Sequence, residues 1–522
     1  MLLQRAAYLA AFFVCVVTAP LMAQDVTLTS PDGSVEVNGT LLGFDGEFYR
    51  VETVYGELTV DGSGVNCAGP ACPDLQNYVA ELSVSGSATI GEVLMPALIE
   101  GFALRYGYVA ERQRKDATHF VYTLRYKKDG ALLGRFTFRV TNTDEGFADL
   151  LADEADIVMS LREIRLTENR RANEAGLGDL RGPNRSRVLA LDAMVPITAP
   201  GNPVDAISPA TLARVFAGRV TNWKDLGGPD APISMHLRDP KSGLAQAVQD
   251  RLMAPAALVL DSNIVRHATN KALTKAVTDD PFAIGISSYS ETGNADVLVL
   301  TGTCGFSLRA GRVTIKTEDY PLTAPMFLYI PARRLPKLAR KFLTFTRSPS
   351  AQIVIRRAGF VDQAPEELSI NKQGDRFANA ISLLGTEINL TEVKRLVKVL
   401  SPMKRLSTSF RFRAGSSALD AQSLSNVQQL ARAIETGVYD ERSVTFVGFS
   451  DGQGPADGNK IIALRRADSV LAAVKKAAET VDLSELNISV EAFGEALPMA
   501  CDDSAWGRQV NRRVEIWARH CG

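Results

Sequence analysis

The chain has 522 residues, too many for one hydrophobic core, so about three compact units are expected. An apolar content of 46% and a charged content of 22% are those of an ordinary globular protein. The net charge of -1 excludes bulk electrostatic attraction to nucleic acid or to an anionic membrane surface.

The N-terminus reads as an export signal. Arg5 is followed by an apolar run from Ala6 to Ala19, Pro20 breaks the run, and Leu21-Met22-Ala23 offers a small residue at the cleavage edge. Residues 1–23 are therefore expected to be a signal peptide, and Cys15 lies inside it without a lipobox. Residues 24–76 alternate with period two between Pro31-Asp32-Gly33, Phe44-Asp45-Gly46 and Tyr55-Gly56 turns, which predicts a small β module. In the oxidising compartment beyond the inner membrane, Cys67 and Cys72 are expected to close a tight loop. Cys501 and Cys521, flanking the last strand, are expected to form a second disulfide, leaving Cys304 free. The four histidines are scattered without ligand spacing, so neither a metal nor a cofactor is expected.

From residue 77 to 365 strands alternate with helices, as in an α/β domain. Residues 366–404 hold two helices, expected over Asp375–Leu384 and Leu390–Leu400, that read as a connector. Residues 405–522 alternate again and predict a mixed sheet with helices on one face. The fold class is thus multidomain α/β and α+β.

The C-terminal part carries Gly448-Phe449-Ser450-Asp451, Gly454, Asn459, Arg466-Ala467 and Asn511-Arg512-Arg513-Val514-Glu515, in that order. These elements resemble the OmpA C-terminal peptidoglycan-binding family over about 115 residues. The resemblance implies that Asp451 and Arg466 clamp the diaminopimelate of a peptidoglycan stem, with Asn459 beside them. The chemistry is coherent without the family, since a free amino-acid head offers an ammonium and a carboxylate and needs one anion and one forked cation. A G-x-S-x-G match at Gly448–Gly452 lacks the strand-to-helix turn of a hydrolase nucleophile. No Ser-His-Asp set or metal set supports catalysis, so a binding protein and not an enzyme is expected.

Between residues 81 and 361 the chain carries Ser85-Gly86-Ser87-Ala88-Thr89, Ala155 to Ser160, Val215-Phe216-Ala217-Gly218, Asn222-Trp223, Arg238-Asp239-Pro240-Lys241-Ser242-Gly243 and Gly359-Phe360-Val361. This series resembles the periplasmic phosphate-binding proteins of ABC importers, a two-lobed type II periplasmic-binding-protein fold. The resemblance implies an anion site made by Thr89 with the Ile90 amide, Thr143, Arg238, and Ser242 with the Gly243 amide. Hydroxyls and helix-start amides suit tetrahedral oxyanions, and an arginine adds a bidentate charge. Where that family has a buried carboxylate and a threonine, this chain has Leu161 and Leu244. The expected function is capture of phosphate or a related oxyanion by a periplasmic protein anchored to peptidoglycan near the wall or outer membrane. An inner-membrane ABC importer is the expected partner. The alternative is a structural envelope protein whose cleft binds nothing.

Overall fold

A computed structural model of the chain describes residues 25–521 except 76, 383, 386, 387, 414, 482, 484 and 485, so the expected signal peptide lies outside the described residues. The chain forms two compact units. One comprises the described residues through Ala80 together with Arg334–Lys337, and the other comprises Glu81–Arg333 with Leu338 onward.

The first unit is a five-stranded antiparallel sheet with Val26–Thr29 at its centre-right, between Glu36–Phe44 and the short Asn66–Ala68. Alternation buries Val26, Leu28, Tyr49 and Val51 on one face. The Cys67–Cys72 disulfide closes the loop beyond the edge strand. Arg334 stacks on the Phe48 ring at 4.0 Å and bonds the Asp45 carboxylate, which fixes the 334–337 segment to this sheet.

In the second unit one long sheet runs through both lobes of the α/β part. Its order is Val265–His267, Ser234–Arg238, Ala283–Ser288, Ser186–Thr198, Thr323–Tyr329, Ile157–Ser160, Ala80–Ser87, Leu132–Thr141, His119–Tyr126 and Tyr108–Arg114. The strands on the two flanks are the two lobes. The antiparallel pair Ser186–Thr198 and Thr323–Tyr329 crosses between them, with a register shift between Val188 and Ala190. Near-continuous burial of these two strands follows from cover on both faces.

The C-terminal sheet has the order Glu367–Leu368, Lys404–Arg411, Arg513–His520, Arg442–Phe449, Ile488–Gly494. One face packs Val444, Phe446 and Ile516 on helices Ala421–Glu435 and Ala456–Ala477. The other face packs Val447, Phe449, Phe493 and Trp517 on Ala380, Leu396 and Leu400. The segment expected to be a connector therefore supplies a second helical layer, from Gly374–Ser382 and Leu390–Leu400. The reason is visible in the strands: Arg442–Phe449 is apolar on both faces, which leaves a second face to be covered.

Buried charge joins this sheet to the α/β part. Arg405 is 1% exposed and donates both Nη groups to Asp319, at 2.7 and 2.9 Å. Its Nε lies 3.3 Å from Glu515, which also accepts from Arg376, Arg513 and the Trp517 indole. Burial opposes ionisation of Glu515, yet Arg376, Arg405 and Arg513 hold its carboxyl well below the ordinary value of 4.5.

The cysteine pairing differs from expectation. Cys304 is joined to Cys501 with Cα atoms 5.6 Å apart, and Cys521 is free and exposed. Cys501 precedes helix Ala505–Asn511 at one end of the sheet, whereas the eight-residue strand Arg513–His520 carries Cys521 roughly 25 Å along the sheet. A disulfide needs Cα atoms within about 7 Å, so Cys501 and Cys521 are not bridged.

Peptide mapping without reduction should recover a Cys304–Cys501 linked peptide and an alkylated Cys521. Cys304→Ser should lower stability by about 3–5 kcal/mol in urea unfolding, because the bond closes a loop of sequence separation 197. Glu515→Gln should cost about 3–5 kcal/mol, since it strands buried arginines. Because the Glu515 pKa is lower folded than unfolded, its contribution is complete above pH 4.5 and is lost as pH falls below that value. Acid unfolding of the variant should accordingly be shallower than that of the parent.

Candidate functional site

Two sites can be built from the sequence-predicted residues. In the interlobe cleft, strand Ala80–Ser87 delivers Thr89 to the start of a turn over Ile90–Leu94. Thr89 caps nothing there, so its hydroxyl is free of that duty, and Ile90 is buried. Thr89 and Arg238 line one cavity of about 420 Å³ with Glu92, Asn270, Glu291 and Phe360.

Arg238 is braced from behind. Its Nε donates to the His267 carbonyl at 3.2 Å, Nη1 to Asn270 Oδ1 at 2.7 Å and Nη2 to the Ala268 carbonyl at 2.9 Å. A guanidinium has five N–H groups, so two remain for a ligand. Under it, His236 and His267 are hydrogen-bonded at 2.9 Å and stacked, and burial lowers both pKa values, which keeps the pair neutral near pH 7. Asn270 donates to Glu291, which puts a carboxylate in the same cavity as Arg238.

The other sequence-predicted residues converge elsewhere. Ser242 caps the helix that starts at Gly243, accepting from Ala245 N at 3.2 Å. Thr143 Oγ1 accepts from Leu161 N at 3.2 Å. Leu161 presses on Gly243, where an added Cβ would lie 2.8 Å from its Cδ1 and 3.1 Å from Ser87 Oγ. Ser87 Oγ is buried without a hydrogen-bond partner. Thr143 and Gly243 thus meet Leu161, and neither they nor Ser242 line the cavity that Thr89 and Arg238 share. Arg162, beside Leu161, is tied to Asp144 and Glu168 and does not supply charge to the cleft.

The second site lies at the end of strand Arg442–Phe449. Asp451 is 8% exposed and accepts from Arg512 Nη1 at 2.7 Å. The next residue, Gly452, donates its amide to Asp502 at 2.8 Å. Asn459 and Arg466 both stand on helix Ala456–Ala477, which begins three residues before Asn459. Asn459 donates to Glu495 Oε2 at 2.5 Å and to the Gly454 carbonyl at 3.3 Å, so its amide braces the loop.

Arg466 is half-buried, with its guanidinium 5.3 Å from the Phe412 ring centroid. Among the described residues it has no hydrogen bond or ion pair within 4 Å. Burial and then Arg512 lower its pKa, while Asp451 opposes them. Asp451 and Arg466 are near each other but not paired, so Asp451 is held by Arg512 while the Arg466 guanidinium stays uncommitted.

Sequence reasoning missed Arg512, Asp502, Phe412 and Glu291. The Asn511-Arg512-Arg513 triplet carried the signal for the first. Asn511 accepts from Met499 N and Ala500 N at 2.7 and 3.0 Å, Arg512 meets Asp451, and Arg513 points into the core toward Glu515. For Glu291 the signal was the hydroxyl-rich Ser287-Ser288-Tyr289-Ser290 run at a strand end.

Comparison with known proteins identifies the domains. The chain belongs to the PBP superfamily, whose domain model matches residues 80–350, and the OmpA family model matches residues 411–512. Phosphate-binding protein PstS of Borreliella burgdorferi is 25% identical over 184 residues, covering 34% of this chain and 65% of that protein. Protein SphX of Synechococcus elongatus is 24% identical over 271 residues, covering 48% of this chain and 78% of that protein. Probable lipoprotein YiaD of Escherichia coli is 37% identical over 78 residues, covering 15% of this chain and 34% of that protein. The pairing of the two domain types places the chain outside the cytoplasm, in the cell envelope. No helix among the described residues is long and apolar enough to cross a membrane.

Proposed function

We propose that this protein binds peptidoglycan through Asp451 and Arg466 and captures phosphate or a related oxyanion between its lobes, for uptake by an importer or for sensing near the wall. The observation that carries the wall-binding half is the uncommitted Arg466 beside Asp451. An amino-acid head of a diaminopimelate stem would place its ammonium at Asp451 and its carboxylate at Arg466. Arg512 holds the Asp451 carboxylate in place and Asn459 holds the loop. For the oxyanion, the support is Arg238 with two N–H donors left, facing a cavity with the Thr89 hydroxyl.

Leu161, standing where the resembled family has its buried carboxylate, removes a proton acceptor, and Glu291 supplies one. With a carboxylate beside Arg238, the site repels fully ionised dianions and accepts a proton from hydrogen phosphate. The structural reading, a cleft that binds nothing, is favoured by Leu161 filling the space between Ser87 and Gly243.

Asp451→Ala and Arg466→Ala should each weaken capture on insoluble peptidoglycan by about 2–5 kcal/mol with the fold intact. Pull-down at parental levels by either variant would refute the assignment. Calorimetric titration should find phosphate bound in preference to sulfate, Arg238→Lys nearly inactive, and Glu291→Gln less selective. If neither anion binds at millimolar concentration, the structural reading replaces capture.

A further inference from the structure

Within the second unit a cavity of about 690 Å³ opens between the α/β part and the C-terminal domain. That size is in the range of pockets that hold compact organic ligands. Much of the charge around it is spent. Arg162 and Arg165 are paired with Asp144, Glu168 and Asp250, and Arg411 reaches Asp319.

Four lining groups are not spent in this way. The Arg251 guanidinium makes one hydrogen bond, to the Thr323 carbonyl, and has no ion pair among the described residues. Arg181 Nε is buried without a partner. The Glu318 side chain has no hydrogen bond or ion pair, and Asp420 is engaged only by the start of helix Ala421–Glu435.

The backbone adds an independent sign. Glu318 has φ of 58°, a left-handed conformation that a side chain with a Cβ seldom adopts, and such strain is retained where surrounding structure enforces it. Burial and the nearby Asp420 push the Glu318 carboxyl up to about 8. Burial and Glu163 push that of Asp420 up to about 6. Arg411 and Arg251 lie near these two acids but make no ion pair with the Glu318 or Asp420 carboxylates, so burial holds the pair toward the neutral form, and an entering ammonium would favour their ionised form.

We infer that this cavity binds a compact zwitterion, the free end or whole of a short peptide or amino acid, with its ammonium between Glu318 and Asp420 and its carboxylate at Arg251 and Arg181. Trp506, Phe412 and the Gln509 amide supply apolar and polar walls for the rest of such a ligand. The site is separate from the pair Asp451 and Arg466, although Phe412 borders both. The ligand could be a free amino acid or a cell-wall peptide, and the two sources share this chemistry.

The test is calorimetric titration of the full chain carrying Asp451→Ala, which removes the proposed wall site and keeps the two readings distinguishable. The probes are alanyl-alanine, its N-acetyl and C-amide forms, free meso-diaminopimelate and a purified stem tetrapeptide. Alanyl-alanine should bind once per chain and shift Trp506 emission, and blocking either end should weaken it at least tenfold. Arg251→Met and the isosteric Glu318→Gln should each weaken it at least tenfold. The tighter of diaminopimelate and stem tetrapeptide identifies the source. Equal binding of blocked and free peptides, parental affinity in both variants, or no binding of any probe at millimolar concentration would overturn the inference. The blocked-peptide comparison needs no change in the cavity, so misfolding of either variant would not obscure it.

Discussion

Arg405 is the constraint on which the arrangement of the second unit rests. A fully buried guanidinium is unfavourable unless carboxylates surround it, and here the two carboxylates come from different domains. Asp319 belongs to the α/β part and Glu515 to the C-terminal sheet. Strand Lys404–Arg411 therefore has its charge satisfied only when the sheet is seated against Asp319. The Cys304–Cys501 bond acts in the same direction, because it fixes the loop before helix Ala505–Asn511 to the second lobe. Removing either domain would leave a buried charge in the other without its partner.

The same core explains how the candidate wall site is held. Arg513 is drawn inward by Glu515, and that anchors the end of helix Ala505–Asn511 so that Asn511 and Arg512 project on fixed paths. Asn511 orders the 499–502 loop, whose Asp502 accepts the Gly452 amide, and Arg512 fixes Asp451. One triplet thus does three jobs at successive depths: loop, Asp451 carboxylate and core. Arg466, on a different helix, has no side-chain hydrogen bond or ion pair among the described residues.

This layering also accounts for what the sequence made legible. Periodicity revealed the β module, the alternating α/β part and the C-terminal strands, because alternation and helical stripes are local. The candidate residues Asp451, Asn459 and Arg466 could be named from the sequence because they stand in a fixed local pattern after one strand. Partnership was not readable. Nothing local tells Cys304 that Cys501, 197 residues on, will be its neighbour, and proximity in sequence made Cys521 look the better match. For the same reason Arg238 could be named but its three backing hydrogen bonds could not, nor could the placing of Glu291 in its cavity. The helices at Gly374–Ser382 and Leu390–Leu400 looked like a linker because their apolar stripe faces strands far along the chain.

The C-terminal domain touches both lobes of the cleft. On the first lobe Ala421 N donates to Glu163 and Arg413 donates to the Arg181 carbonyl. On the second, the Trp506 indole donates to the Arg251 carbonyl, and the Cys304–Cys501 bond is covalent. Between them, Val188 on the crossing strand donates to Ser425 Oγ. Two lobes joined by two crossing strands have a hinge there, and hinge closure needs the lobes to rotate about those strands. With a third domain bonded on each side of the hinge, rotation must break one set of contacts, and the disulfide decides which. The contacts at Glu163 and Arg181 are hydrogen bonds at a partly solvated edge, so they yield before the covalent link. A rotation of the first lobe about those strands would therefore break the hydrogen bonds at Glu163 and Arg181 and leave the second lobe tied to the C-terminal domain through Cys304–Cys501.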